Sequence, residues 1–380
     1  MLLVSKSVET LEDIGSELAA SANSRDRNAE FSREMFDRVF SHPDFPRLDF
    51  STRESHARST LQLIGALQSI GRTSLDLPFI SSLAAQAAIA PELVAKFASA
   101  EKRNAHLPKL QSGVDLAAIC NSEEAGGTQL KTMTSRCVID ANGVGTMNVV
   151  KPIATNASGA GTVLVSAWEQ RIDEVPTLQM YIVGVDAVNA RAVASTRLSG
   201  FRTGNCGSLT ITNAQIEAEE CRLGSTAPPL AAFRHCFDFE RLYLGSLVIG
   251  ILDGLEALVL DRFKSRTSLH DKQFVQEKVI AITIVRAKLQ ALFGAIVARG
   301  FDTLHRSQIE LSLLKWMCAE DVPAAIQQAS DIGGWNSYGE DDTMNRVARD
   351  IAALRFFGGT VELQKMTIFS TVMSRKGSSV

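Results

Sequence analysis

Two places in the sequence carry groups that could act on a substrate. Phe237-Asp238-Phe239-Glu240-Arg241-Leu242 sets two carboxylates and a guanidinium among aromatic and apolar residues. A carboxylate carried into apolar surroundings loses the hydration that favours its charged form, and its pKa rises by up to about 3–5 units in extreme cases. Such a group is suited to remove a proton as a general base, a role that typically contributes about 10²–10⁴-fold in rate. Glu240 also reads as the opening of a long apolar helix, Phe239 to Leu260, and an acid in a first helical turn is favoured by the macrodipole in any protein. Asp238 and Arg241 read equally as an ordinary ion pair at that helix start or as groups that place Glu240 or a substrate. Far downstream, Gly358-Gly359-Thr360 reads as a turn whose glycines tolerate positive φ. Ser122 and Thr128 sit in the Gly-rich stretch Cys120 to Thr128, where hydroxyl residues serve turns or ligands.

These groups must be positioned by three segments of different texture. Residues 1–113 read as helical: Ser59 to Ile70 places apolar residues at helical spacing, Ile80 to Ala100 is rich in Ala, Leu and Ile, and Pro91 marks a helix start. His106 to Gly113 reads as a helix stop. Residues 114–226 hold short β-branched runs between Gly, Asn and Asp turns, which predicts a small antiparallel sheet or barrel. Residues 227–380 return to helical periodicity after Pro228-Pro229, with helix-length stretches at 240–262, 272–299, 308–330 and 343–374. The expected class is α+β: an N-terminal helical domain, a middle antiparallel β domain and a C-terminal four-helix bundle enclosing a site.

The 380 residues suffice for two or three domains, and 45% apolar with 21% charged residues is ordinary for a globular chain. A net charge of −3 with scattered basic residues argues against a nucleic-acid partner. The apolar run Leu242 to Leu252 stops at Asp253, which argues against a membrane span, and the N-terminus lacks a secretory pattern. A cytoplasmic location is expected. Six widely spaced cysteines without a CxxC read as reduced structural thiols, and no His or Cys spacing suits a metal.

The order of several short motifs resembles the acyl-CoA dehydrogenase superfamily over roughly residues 55–374. Cys120-Asn121-Ser122-Glu123-Glu124-Ala125-Gly126-Gly127-Thr128 is similar to the family's flavin loop, and Lys151-Pro152-Ile153-Ala154-Thr155-Asn156 to its K-x-W-I-T-N segment. Leu198 to Thr203, Ala214 to Ile216 and Leu223-Gly224 follow G-x-R-x-S … L … L-G, Gly333 to Tyr338 resembles G-G-x-G-Y, and Arg349-Asp350 … Phe357-Gly358-Gly359-Thr360-Val361-Glu362 the C-terminal signature. The resemblance implies FAD, with Thr155 facing flavin N5, Ser122 the pyrimidine edge and Thr128 the pyrophosphate. Thr360 and Glu362 match positions that touch the ADP half. Arg266 and Gln276 are the nearest match to an R-x-x-F-G … Q motif through which a neighbouring subunit reaches the cofactor, although the Phe-Gly pair is absent. Arg266 reads equally as a solvated helix-end cation.

Where the family usually carries its base, before Gly-Thr, this chain has Gly358. Glu240 stands where the isovaleryl and long-chain branch keeps the base instead. The resemblance then implies that Glu240 takes the α-proton of an acyl thioester, carried by CoA or an acyl carrier protein, while the Gly358 N–H holds the thioester oxygen. Two further departures are Ile153 in place of the tryptophan beside the flavin and the missing P-x-x-Y-G-G loop. Three readings follow: a dehydrogenase passing electrons to a flavoprotein acceptor; an oxygenase or oxidase (monooxygenase chemistry included) using O2; and a flavin-free binding member. A homodimer or homotetramer is expected on the same ground.

Overall fold

The computed structural model describes residues 9–124, 130–195 and 197–377. The chain opens with helices α1 (Leu11–Asn28), α2 (Arg33–Ser41), α3 (Arg53–Ser74), α4 (Leu77–Ala84), α5 (Ala90–Phe97) and α6 (Ala100–Ser112). Their starts are written in the sequence. Thr10, Ser32, Thr52, Asp76 and Ser99 each accept a backbone N–H from the first turn that follows, which satisfies donors that a helix cannot pair internally. α6 ends at Gly113, left-handed at φ 74°.

Pro91 stands in the first turn of α5, as expected, but α5 is not separated from what precedes it. The backbone runs helically from Leu77 to Phe97, with a π turn at Ala85–Ile89 in which the Ala90 N–H reaches the Ala85 carbonyl. Proline brings no N–H and crowds the preceding turn; a widened turn just before Pro91 accommodates both.

The middle of the chain forms one eight-stranded sheet: β1 (Ala117–Cys120), β2 (Arg136–Ile139), β3 (Val144–Thr155), β4 (Thr162–Gln170), β5 (Thr177–Gly184), β6 (Arg191–Ala194), β7 (Cys206–Glu217) and, after the short helix α7 (Ala218–Cys221), β8 (Arg222–Leu223). The order is β6-β7-β3-β1-β4-β5-β8, with β2 pairing β3 and β4. The sheet is mixed and not purely antiparallel, because β1 and β2 both run parallel to β4. Strand texture reveals the strands and not their partners, and these parallel pairs join strands distant in sequence. Met147, Val149, Leu209 and Ile211 belong to a small core of the sheet's own.

The last segment holds α8 (Ala231–Lys264), α9 (Gln273–Ala298), α10 (Gln308–Ala319), α11 (Asp321–Gly333), α12 (Thr343–Ala352) and α13 (Val361–Gly377). Two expected helices are divided: 308–330 breaks at Glu320, and 343–374 breaks at a turn through Gly358 and Gly359, whose φ values of 66° and 87° no L residue adopts cheaply. α8 lies against α3 so closely that a Cβ at Gly254 would meet the Arg72 carbonyl oxygen at 2.1 Å. One large hydrophobic core therefore runs through both helical segments, from Leu63 and Ile70 of α3 to Leu252 of α8 and Leu314 of α10.

Among the described residues three stretches, Leu77–Phe97, Ala231–Lys264 and Gln273–Ala298, are long and apolar enough to cross a bilayer by length and composition. The first two are 94% and 72% buried within the protein; the third is only 33% buried and keeps an open apolar face.

Candidate active site

α8 begins at Ala231, nine residues before Glu240, so Glu240 is not in a first turn. Ala232, Phe233 and Cys236 carry the buried stripe upstream of it, which extends the helix beyond the expected Phe239. The macrodipole therefore does not account for an acid at this place, nor for the Asp238 and Arg241 pair, since its influence is confined to the terminal turn.

Glu240 projects into a cavity of about 300 Å³ at the junction of α4, the π turn, α8, the sheet and the turn before α13. Ser122, Thr155, Gly358 and Thr360 line the same cavity. Its walls are mainly apolar, including Ile89, Met133, Ile153, Phe233 and Leu247, the composition usual for a small-molecule site. Glu240 Oε1 accepts the Gly358 N–H at 3.0 Å. Burial raises the Glu240 pKa above the ordinary carboxylate value, while the Gly358 N–H and the charges of Arg241 and Lys315 pull the other way.

The turn that presents Gly358 is held from behind. Arg241 Nε donates to the Gly358 carbonyl at 3.1 Å. Gln364 Nε2, buried on α13, donates to the carbonyls of Gly358 and Gly359 at 3.2 and 3.3 Å. Asp238 does not reach the cavity wall; it accepts from Gln308 Nε2 at 2.9 Å and lies 3.9 Å from Arg241. Burial pushes Asp238 up and Arg241 down from their ordinary values.

On the sheet side, Lys151 and Glu123 form an ion pair at 2.8 Å with side chains 0% and 4% exposed. Glu123 also accepts the backbone N–H groups of Thr134 and Ser135, at 2.5 and 3.2 Å. Its pKa falls to about 2: burial opposes ionisation, and the hydrogen bonds from Lys151, Ser135 and Thr134 outweigh it. This pair ties the Cys120 loop to β3 and fixes the backbone on either side of Ser122. Among the described residues the hydroxyls of Ser122 and Thr155 have no hydrogen-bond partner, and Asn121 Oδ1 is buried without one. Phe201, at φ 61° with its N–H bonded to Asp350 at 2.7 Å, packs on Phe357 at 4.7 Å between ring centres, and both rings line the cavity.

The remaining expected residues lie elsewhere. Arg266 donates to the Gly333 carbonyl at 2.9 Å and Gln276 to the His270 carbonyl at 2.8 Å, both away from the cavity wall. Glu362 is exposed on α13. Thr128 lies outside the described residues. All six cysteines are free and buried, and no cluster of metal-binding side chains exists among the described residues. Sequence reading assigned no role to Glu123, Lys151, Gln364 or Lys315. Lys315 had a signal: it occupies the buried stripe Leu311, Leu314, Lys315, Cys318, where a charge is out of place.

Comparison with known proteins gives a consistent picture. Residues 230–373 match the family model for the acyl-CoA dehydrogenase C-terminal domain. A probable acyl-CoA dehydrogenase, YngJ of Bacillus subtilis (strain 168), is 24% identical over 367 residues, 93% of each chain. Among solved structures, the FAD complex of PigA superposes with a TM-score of 0.84 at 18% identity, covering 96% of each chain. The prolyl acyl carrier protein oxidase AnaB gives 0.82 at 19% identity, covering 96% of this chain and all of its own (100%).

Proposed function

We propose a function from one premise: the chain belongs to the acyl-CoA dehydrogenase superfamily. It is a flavoenzyme of that family, and its reaction is the α,β-dehydrogenation of an acyl thioester. The observation that carries this reading is the meeting of Glu240 and the Gly358 N–H at 3.0 Å on the wall of an apolar cavity.

The cavity suits FAD. An isoalloxazine is an apolar slab with polar edges, and the site offers apolar walls together with two unpaired hydroxyls, Ser122 and Thr155, and the orphaned Asn121 amide oxygen. Ser122, Thr155 and Thr360 are the residues of this chain that would hold the ring system and its neighbourhood. Arg266 and Gln276, away from this cavity, would reach the cofactor's pyrophosphate from a neighbouring subunit, and the exposed Glu362 would meet its ADP half. FAD, when bound, supplies the acceptor for the β-hydrogen and its electron pair.

Glu240 removes the α-proton. The Gly358 N–H receives the thioester oxygen, taking it in place of Glu240 Oε1, and stabilises the negative charge that the departing proton leaves on that oxygen. Arg241 and Gln364 keep the Gly358 and Gly359 carbonyls turned away, so the N–H faces the cavity. Phe201, Phe357 and Ile89 exclude water around the carboxylate, which sustains its raised pKa.

The acyl group is carried by CoA or by an acyl carrier protein, and the AnaB likeness supports including the second. Electrons leave to a flavoprotein acceptor. Release to O2 is the second reading, supported by Ile153 on the cavity wall where the resembled family carries a tryptophan. We include a homodimer or homotetramer, supported by the exposed Phe274, Ile280 and Ile284 of α9 and Phe369 of α13, and a cytoplasmic location. Anaerobic mixing of the FAD-loaded protein with a panel of acyl-CoA and acyl-carrier thioesters tests the reading. Flavin bleaching by a thioester, abolished by Glu240→Gln, is expected; bleaching at full rate in that variant overturns it. The rate of reoxidation in air then separates the two acceptors.

A further inference from the structure

We propose that Lys315 is a positioning residue for this reaction: it anchors the turn that carries Gly358 and keeps a positive charge behind the N–H that receives the oxygen on which negative charge develops. The proposal rests on the function proposed above.

Lys315 sits on α10 and is 0% exposed. Its Nζ donates to the Leu354 carbonyl at 2.5 Å. Among the described residues no carboxylate approaches it within ion-pair distance. An ammonium buried without an ion-pair partner is costly, and a well-packed apolar side chain of similar volume is often neutral or better. Packing therefore does not explain a lysine at a core position of an apolar helix.

Its surroundings do. A Cβ added to Gly358 would lie 3.4 Å from Lys315 Cε and 3.6 Å from Arg241 Cγ, so both cationic side chains pass directly behind the turn. Lys315 grips the turn at Leu354, Arg241 at Gly358, and Gln364 at Gly358 and Gly359. With these carbonyls drawn toward α10, α8 and α13, the Gly358 N–H is left facing Glu240. The groups that face Lys315 are Glu240 and Arg241 from α8, Arg355 from the turn, and Cys318 from its own helix. Arg355 is paired with Glu320 at 2.9 Å. Glu240 is thus the carboxylate in this set without an ion pair.

When the α-proton moves to Glu240, one negative charge leaves the carboxylate and appears on the thioester oxygen at the Gly358 N–H. Both places border the same fixed cation, so the charge moves within a field that needs no rearrangement, the condition under which electrostatic stabilisation is most effective. Burial pushes the Lys315 pKa down to about 8; the charge is present at neutral pH and lost just above it.

The test compares Lys315→Met and Lys315→Arg with the parent, all FAD-loaded, on a thioester the parent turns over. The parent should show a descending limb in kcat/KM near pH 8. Lys315→Met should lose about tenfold to a hundredfold in kcat, less than the about 10²–10³-fold typical of a direct oxyanion donor. Its KM and flavin spectrum should hold, and its Tm should change little, because relief of the buried charge offsets the lost hydrogen bond to the Leu354 carbonyl. Its limb near pH 8 should vanish, and its acid limb should move to higher pH, because removing a cation favours the protonated Glu240. Lys315→Arg, whose charge does not titrate in this range, should recover most of kcat without the limb. A parent profile with no descending limb near pH 8, a Lys315→Met kcat within about twofold of the parent, or a Lys315→Arg profile that keeps the limb overturns the proposal. Glu240→Gln runs alongside: a Glu240→Gln variant that still reduces flavin at full rate defeats the base assignment itself. An inactive Glu240→Gln beside an unimpaired Lys315→Met defeats Lys315 alone.

Discussion

The two ends of the cavity are built differently. At the α8 end the polar groups are already engaged with one another: Glu240 with the Gly358 N–H, Arg241 and Gln364 with the carbonyls of the same turn, Lys315 with Leu354. At the sheet end the backbone is held by the buried Glu123–Lys151 pair, yet the side chains that face the cavity, Ser122 and Thr155, have open hydroxyls. One end is organised before any ligand arrives. The other offers a stiff frame whose hydroxyls have no protein partner, so a ligand there exchanges water for its own hydrogen bonds. Changes at the α8 end should therefore act on the chemical step, and changes to the open hydroxyls on cofactor affinity.

The sharpest test of that division is Glu240→Gln. It should lower kcat by about 10²–10⁴-fold with flavin content unchanged; loss of flavin in that variant would break the comparison. Next comes Glu123→Gln at the frame of the other end. Removing one partner of a buried pair typically costs about 3–5 kcal/mol, so a large fall in Tm and in bound FAD is expected by calorimetry and absorbance, with catalysis by the molecules still loaded intact. The pH sense follows from a folded pKa of about 2 against an ordinary 4.5. The pair's stabilisation is present above pH 4.5 and is lost as pH falls toward 2, so the parent should show acid loss of stability in that window and the variant should lack it.

Smaller effects refine the picture. Gly358→Ala forces an L residue to φ 66° with Leu244 at 3.3 Å from the new Cβ. About 1–2 kcal/mol of destabilisation is expected from the left-handed backbone, with kcat falling more than KM rises. Thr155→Val should weaken FAD binding by roughly the worth of one hydrogen bond, about 1 kcal/mol or fivefold in Kd, leaving turnover of the loaded enzyme little changed. In the parent, kcat/KM should fall on the acid side through a pKa above the ordinary glutamate value, because burial disfavours the ionised base.

The three-part architecture was legible because texture changes sharply, from caps and helical spacing to β-branched runs and back. Strand pairing was not, since β1 beside β4 depends on partners far apart in sequence. The helix start at Ala231 was missed because Arg234 and His235 interrupt the apolar stripe, although Ala232, Phe233 and Cys236 continue it on one face. Ser122, Thr155, Glu240, Gly358 and Thr360 do share one cavity wall. Spacing alone could not join Glu123 to Lys151, because their contact crosses from a loop to β3. Arg266, Gln276 and Glu362 are not on that wall: the first two bond to the Gly333 and His270 carbonyls and the third is exposed on α13.

The 3.0 Å contact between the carboxylate and the turn has one more consequence. In the resting protein each partner muzzles the other: the acid is quietened by a donor, and the donor is occupied by an acid. A passing molecule without a carbonyl to offer leaves that clasp shut. Thioethers with the same tail and the same carrier should accordingly sit in the pocket far more weakly than thioesters, and discrimination would begin at the threshold of binding, ahead of any bond being broken.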